Sequence, residues 1–262
     1  MSNPLNIIAF IRKYPALCDL ENELLLDLQN SILSQPDAYD HVKKCDYYLH
    51  LQNQNLSSFL CNRIAIDELG SLFTEATRKR VNGEKYITGL QIFMGTDGSG
   101  SQMMLVYQPV YLKWLHYDIK SQKDIYDIPD YGYGNYYVYK SNQFSAISES
   151  MKNTIIQNYR TDMSLIHATG GTHYELFDPV YDVTSCLIPF QLMYKLLDET
   201  PSKELFVTNG IREVETDSVS PVKHIVIISG EPIEEMHAVP AKYADRSHLC
   251  PPGTTVFDFN PA

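Results

Sequence analysis

The spacing of apolar residues changes near residue 86, and this change constrains the fold more than any other feature of the sequence. The residues that recur at every second position, and would share one face of a strand, are Tyr86, Thr88, Leu90, Ile92 and Met94. Residues 103–112 are instead apolar on both faces, as in a central strand. Asp97-Gly98 lies between the two runs and is typical of tight turns, because glycine accepts a positive φ. The pattern predicts a β-hairpin over about residues 86–112.

The loop from Gly95 to Ser101 is rich in glycine and serine, which raises the question of phosphate binding. Phosphate-binding loops of the Walker and dinucleotide types run into a helix, whose N-terminal amides hold the anion. Here the loop is followed by a second apolar strand pattern. We therefore expect a solvent-exposed hairpin connection without a phosphate role.

Several other segments show regular apolar spacing. Helical spacing predicts four helices, at about residues 20–34, 66–76, 145–159 and 190–197. Pro36 is expected to end the first helix, and Ser145 to cap the start of the third. Residues 205–208 and 224–229 are typical of strands, the second covered on both faces.

This order of elements indicates an α+β fold rather than a regular βαβ alternation. We expect a mostly antiparallel sheet with a central hairpin at about 86–112, packed by several amphipathic helices. Residues 1–262 are expected to form a single domain. The alternative is a subdivision near 113–140, with helices and hairpin in 1–112 and helices, strands and an extended tail in 141–262.

Charge and composition exclude several function classes. The 32 acidic side chains outnumber the 21 basic ones, and the net charge of −11 would repel a nucleic-acid backbone. No apolar run reaches the roughly 20 residues of a membrane span, and the amino terminus lacks the pattern of a secretion signal. The 5 cysteines show no CxxC spacing, which favours reduced, buried thiols. We expect a soluble, cytoplasmic protein that binds neither nucleic acid nor a membrane.

The segment over residues 113–140 is rich in tyrosine and broken by proline and glycine, so it is expected to be a loop or a set of short strands. Aromatic side chains with one polar end are common at protein interfaces. We expect an interface that includes Trp114, Tyr131, Tyr133 and Tyr136. The alternatives are an aromatic cover over the sheet and a platform on which a ligand stacks.

Four potential metal ligands or acid–base groups surround Gly170-Gly171, namely His167, His173, Glu175 and Asp178. Imidazole and carboxylate groups are ligands of zinc and iron, with the two histidines as metal ligands and the two carboxylates as catalytic groups. However, histidines six residues apart do not share one helical face as they do in HExxH. The alternative is a glycine turn with polar residues nearby.

Three short stretches, "ITGLQIFMG", "MMLVYQP" and "LCPP", carry a resemblance. They are similar to a group of uncharacterised bacterial proteins with a glycine-led G-[LI]-x-[IF]-[YF]-x-G strand and a C-terminal Cys-Pro-Pro tail, here Cys250-Pro251-Pro252. The match covers about residues 57–112 and 247–253, and Met94 departs from the usual end of the strand. The resemblance implies a shared shape and no particular reaction.

Taken together, these observations favour a binding or assembly component that associates with itself and has neither a cofactor nor catalytic activity. Its partner is a protein or a second copy of the chain. The alternative function is a metal-dependent hydrolase that uses the cluster around Gly170-Gly171.

Overall fold

The structure is a computed structural model of the 262-residue chain. It describes residues 32–33, 35–50, 61–65, 67–70, 72, 86–99, 103–118, 123–127, 136–168, 185–189, 204–213, 222–230, 233, 243–244, 248–250 and 256–258.

The described residues form strands and two long helices, with a further helical stretch at 67–70. The helices are α1 (Gln35–His50) and α2 (Glu149–Ala168). The strands are β1 (Ile32–Leu33), β2 (Cys61–Ala65), β3 (Tyr86–Thr96), β4 (Met103–Asp118), β5 (Lys123–Asp127), β6 (Tyr136–Lys140), β7 (Gln143–Ile147), β8 (Ser185–Pro189), β9 (Glu204–Glu213), β10 (Val222–Ser229), β11 (Tyr243–Ala244), β12 (His248–Cys250) and β13 (Val256–Asp258).

The strands form two sheets, and every strand pair among the described residues is antiparallel. A five-stranded sheet has the order β1-β11-β10-β9-β2. An eight-stranded sheet has the order β12-β8-β3-β4-β5-β13, and β6 branches from β4 and pairs with β7. Strands from before residue 113 pair with strands from after residue 140 in both sheets, as β2 does with β9 and β3 with β8. The antiparallel sheets and the helices confirm the α+β class.

The five-stranded sheet has α1 on one face. Ala38 and Val42 of α1 pack against Ile225 and Ile227, whose side chains share one face of β10. Full burial of each such isoleucine contributes about 1.5–3 kcal/mol. His224 lies on the opposite face and is also buried, so the predicted strand over 224–229 is covered on both faces, as expected.

Pro36 marks the main error in the predicted helices. We expected it to end a helix over residues 20–34, but it lies in the first turn of α1, and Ile32 and Leu33 belong to a strand. A proline is tolerated in the first turn of a helix because its missing N–H would have no intrahelical acceptor. Most of the remaining residues of 20–34 lie outside the described part.

The hairpin predicted over about 86–112 is confirmed as β3 and β4, which pair from Tyr86 opposite Lys113 to Thr96 opposite Met103. It lies inside the eight-stranded sheet, because β8 pairs with the other edge of β3 and β5 and β6 pair with the other edge of β4. The thiol of Cys186 in β8 is fully buried, and that of Cys45 in α1 is almost so, which agrees with the expected buried cysteines.

The predicted connection from Gly95 to Ser101 needs a correction at its start. Gly95 and Thr96 are buried residues of β3, and the exposed connection begins at Asp97. Gly98 has a φ of 78°, which explains the glycine there. The Asp97 carboxylate accepts hydrogen bonds from the Ser99 backbone N–H at 3.0 Å and from its hydroxyl at 2.7 Å. Residues 100–102 lie outside the described part.

The helix predicted over 145–159 begins later than expected. Ser145 belongs to β7, and Ser148 caps α2 instead, because its Oγ accepts a hydrogen bond from the Met151 backbone N–H at 3.1 Å. The error arose because Ile147, Met151 and Ile155 keep helical spacing across the strand end.

Two other predicted helices are described only in part. Of the helix predicted over 66–76, residues 67–70 and 72 are helical, and the helix predicted over 190–197 lies outside the described residues. Neither described long helix has the apolar length that crossing a membrane requires.

The described part of the tyrosine-rich segment over 113–140 consists of strands, one of the two forms expected for it. β4 continues to Asp118, and β5 and β6 follow. Residues 119–122 and 128–135 lie outside the described part.

Candidate functional site

Most of the predicted metal cluster lies outside the described residues. His167 belongs to the last turn of α2, whereas His173, Glu175 and Asp178 fall in the segment that the structure does not describe. Elsewhere in the described part of the chain, no group of three or more His, Cys, Asp or Glu residues could hold a metal ion.

The predicted interface residues have separate positions. Trp114 belongs to β4 and lies opposite Tyr126 of β5, while Tyr131 and Tyr133 lie outside the described residues. Tyr136 is buried in β6 and makes an edge-to-face contact with Phe93, with ring centroids 6.3 Å apart. Its ring therefore belongs to the core under α2.

Lys152 covers this aromatic pair from α2. Its ammonium nitrogen lies 4.3 Å from the ring centroid of Tyr136 and 5.3 Å from that of Phe93, which is within the range of cation–π attraction. Burial lowers the pKa of Lys152, and the nearby Glu149 carboxylate opposes this shift. The aliphatic stem of the lysine can add to the apolar cover of these rings.

The other face of β6 and β7 carries a second aromatic cluster centred on Phe144. The ring of Phe144 makes edge-to-face contacts with Tyr107, Tyr137 and Tyr139, at centroid distances of 5.5, 6.3 and 4.9 Å. Tyr107 is fully buried, and its hydroxyl accepts a hydrogen bond from the Asn62 side-chain amide at 2.5 Å. β2 of the five-stranded sheet is thereby joined to the eight-stranded sheet.

Tyr139 lies at the margin of this cluster and is half-buried. Burial raises the pKa of its phenol above the ordinary value, and a hydrogen bond with the Ala65 backbone opposes that effect. The carboxylates of Glu68 and Glu204 add to the rise. The phenol thus stays protonated at neutral pH, and its surroundings do not favour the charged form.

α2 joins the end of the β3–β4 hairpin to the five-stranded sheet. Its buried Ile155 packs against Phe93 and Val106. One turn further on, the hydroxyl of Tyr159 shares a hydrogen bond of 2.5 Å with Nδ1 of the buried His224. Near the end of β3, the Thr96 hydroxyl donates to the Asp162 carboxylate at 2.6 Å. These polar groups hold elements together, which is a structural role.

The β6–β7 hairpin ends in a two-residue turn that projects into solvent. Ser141 and Asn142 have φ values of 53° and 61°, as both central residues of a type I′ turn require. Lys140 and Gln143 flank the turn in register and form its closing, hydrogen-bonded pair. The turn and these two residues are exposed.

The register of this hairpin determines which backbone groups of β7 face outwards. Hydrogen-bonded and non-hydrogen-bonded pairs alternate along an antiparallel ladder, so Gln143, Ser145 and Ile147 direct their N–H and C=O groups at β6. Phe144 and Ala146 direct theirs the opposite way. We call these outward groups of Phe144 and Ala146 the β7 edge, and no strand among the described residues pairs with it.

The β7 strand itself carries no charged side chain. Residues 143–147 read Gln-Phe-Ser-Ala-Ile, without a charged residue or a proline. The Ala146 side chain is exposed, those of Phe144 and Ser145 are half-buried, and Met151, in the first turn of α2, is 54% exposed. The sequence signal for this edge is the short alternation from Tyr136 to Ile147, which we interpreted as the end of a tyrosine-rich segment followed by a helix.

Comparison of the chain with protein-family models, with curated proteins and with solved structures finds no match. Among the described residues, the outward N–H and C=O groups of the β7 edge are positioned to form further backbone hydrogen bonds.

Proposed function

We propose that the chain is a binding or assembly component that associates with itself and has no catalytic activity. The β7 edge is the observation that carries the proposal. Its outward N–H and C=O groups can pair with a further strand, which is a common mode of protein recognition.

The sequence of β7 lacks the features that protect exposed edges in proteins. In natural proteins, lysine, proline, β-bulges or an inward-pointing charge at an edge strand prevent it from pairing with another chain. β7 has five residues, pairs with β6 in continuous register, and contains none of these side chains. An unprotected edge of this kind supports a role in pairing with a protein partner.

The charge of the chain supports a protein partner over nucleic acid. A net charge of −11 disfavours binding to a nucleic-acid backbone, whereas a contact through the backbone groups of an uncharged strand needs no complementary charge on the partner. The tyrosine-rich segment, including Trp114, Tyr131 and Tyr133, remains part of the proposed interface.

Self-association is tested by sedimentation of the full chain over a dilution series. We expect a species heavier than the 30.0 kDa monomer at high concentration, which dissociates on dilution. A double change of Tyr131 and Tyr133 to serine measures the contribution of the tyrosine-rich segment. Tyr136 is left unchanged, because it is buried and its loss would disturb folding. A wild-type chain that sediments as a monomer at every concentration would refute self-association.

The alternative proposal is a metal-dependent hydrolase that uses His167, His173, Glu175 and Asp178. Its support is the clustering of these four residues in the sequence, within 12 positions of one another. We expect substoichiometric zinc or iron after purification without chelators, and no loss of thermal stability when EDTA is added. A tightly bound metal in each chain, lost when His167 and His173 become alanine, would make the hydrolase the leading function.

A further inference from the structure

We propose that the β7 edges of two copies of the chain pair antiparallel about a two-fold axis that passes beside Ser145. This inference rests on the proposed self-association and specifies its geometry. An isologous contact between identical edges requires this antiparallel arrangement, because each edge must present the same groups to the other.

Other outer strands of the described part are less suited to such pairing. β1, β12 and β13 have only two or three residues, whereas β2 and β7 each have five. β2 carries the exposed Arg63 at its centre, in an ion pair with Glu204. Two-fold pairing of β2 would place Arg63 opposite the partner's Arg63, and like charges directly opposite one another are destabilising.

The outward groups of β7 have the spacing that two-fold pairing needs. With Ser145 opposite the partner's Ser145, Phe144 lies opposite the partner's Ala146. Both of these residues direct N–H and C=O outwards, so each of the two equivalent pairs exchanges two hydrogen bonds, about four in total. A register displaced by one residue would oppose outward groups to inward ones and lose these bonds.

The side chains are compatible with the same register. The half-buried ring of Phe144 lies opposite the small, exposed Ala146 of the other copy, so a large side chain meets a small one on one face. On the other face, Ser145 meets the partner's Ser145, and their hydroxyls can hydrogen-bond to each other. Gln143 lies opposite the partner's Ile147.

Charge also favours this edge as the contact between copies. Two chains of net charge −11 repel each other, and an uncharged strand adds no further repulsion at close range. The antiparallel register brings Glu149, which follows β7, to the turn end of the other hairpin, where the exposed Lys140 lies. These opposite charges support the register. Added salt should tighten the dimer, because it screens the repulsion between the two net charges of −11.

The first test compares Ala146→Pro with Ala146→Ser by sedimentation equilibrium of the full chain. Proline removes an outward N–H that β6 does not use, and proline is tolerated on an edge strand in such a position. We expect Ala146→Pro to weaken dimerisation at least about tenfold, which is the loss of roughly 1.4 kcal/mol. Ala146→Ser keeps the backbone N–H and should dimerise like the wild type.

The second test exploits the two-fold axis and does not depend on a proline. Ser145→Lys places two ammonium groups opposite each other, and Ser145→Glu places two carboxylates there. Each variant alone should dimerise more weakly than the wild type, and an equimolar mixture should form the heterodimer and recover the affinity. Circular dichroism of each variant establishes that it is folded. If Ala146→Pro does not fold, the mixture of Ser145→Lys and Ser145→Glu tests the pairing on its own.

The outcomes separate the inference from the proposed function. A wild-type dimer that Ala146→Pro and the Ser145 variants leave unchanged would overturn pairing through β7 while self-association stands. A wild-type chain that is monomeric at every concentration would overturn both. A dimer that the mixture of Ser145→Lys and Ser145→Glu restores would support the proposed register.

Discussion

Two hairpins of the same sheet differ in almost every respect. The β3–β4 hairpin is long, is paired along both outer edges, and has α2 packed over its end at Gly95. The β6–β7 hairpin is short, its turn at Ser141 and Asn142 is exposed, and β7 pairs with no second strand in the described part. Among the described residues, the first hairpin pairs with neighbouring strands along both edges, whereas the second has outward backbone groups on β7 that pair with no described strand.

The difference shows why glycine and serine in a loop do not by themselves indicate function. The glycines at the end of β3 and in the connection after it are constrained by packing. A Cβ at Gly95 would overlap the Ile155 side chain, and one at Gly98 would lie 2.5 Å from the Asn158 amide nitrogen. The β6–β7 turn contains no glycine and matches no functional motif in the sequence, yet it leads into the strand that carries the β7 edge.

The largest expected effect comes from filling the space between Gly95 and α2. Gly95→Val should lower the free energy of unfolding by about 3 kcal/mol, because the added atoms overlap Ile155 and approach the Met104 carbonyl oxygen, which would lie 3.1 Å from the Cβ. Urea unfolding measures the change. Ser99→Ala in the exposed connection is the matched control and should change stability by less than about 0.5 kcal/mol. Equal effects of the two changes would show that α2 does not restrict this end of the hairpin.

A smaller effect is expected where α2 reaches the five-stranded sheet. Tyr159→Phe removes the hydroxyl that lies 2.5 Å from His224 and should cost about 1–3 kcal/mol, because a buried polar atom loses a partner. Thr161→Ala is the control on the same helix, since its exposed hydroxyl donates a local hydrogen bond of 2.9 Å to the Gln157 carbonyl. Thermal unfolding compares the two, and a Tyr159→Phe protein as stable as the control would contradict the buried hydrogen bond.

The smallest effect is expected at the turn of the β6–β7 hairpin, and it has the opposite sign. Changing Ser141 to Asn and Asn142 to Gly should raise stability by about 0.5–1 kcal/mol, because Asn-Gly adopts the two positive φ values with less strain. Unfolding is measured at one protein concentration for both chains, so that association contributes equally. A loss of stability would argue against the type I′ turn.

The sequence predicted those strands whose apolar pattern agrees with the local period. The β3–β4 hairpin, β9 and β10 were predicted correctly because alternating or continuous apolar runs suit strands covered on one or both faces. The prediction failed at α1 and at Ser145. A proline ends a helix when it lies in the interior, but Pro36 lies in the first turn, where it is tolerated. Ile147 belongs to β7, and its spacing from the apolar residues of α2 resembles that of a helix only by coincidence.

The candidate site could not be derived in the same way. Whether a five-residue strand such as β7 is an edge depends on which strands lie beside it, and those neighbours are distant in sequence. Tyr136 shows the same limit of sequence-based prediction. Tyrosine is a residue type common at interfaces, but this one packs under Lys152 and against Phe93. Residues of similar chemistry in one segment were separated by the pleat of β6 into two different clusters.

The sequence by itself determined the α+β class, the central hairpin and the acidic charge, because these depend on composition and on periods of a few residues. The tertiary structure alone decided that β2 pairs with β9, that Tyr159 meets His224, and that β7 has β6 as its one partner strand in the described part of the chain. Such contacts join residues tens of positions apart, and their free energy depends on shape and on the satisfaction of buried hydrogen bonds, which no local pattern encodes.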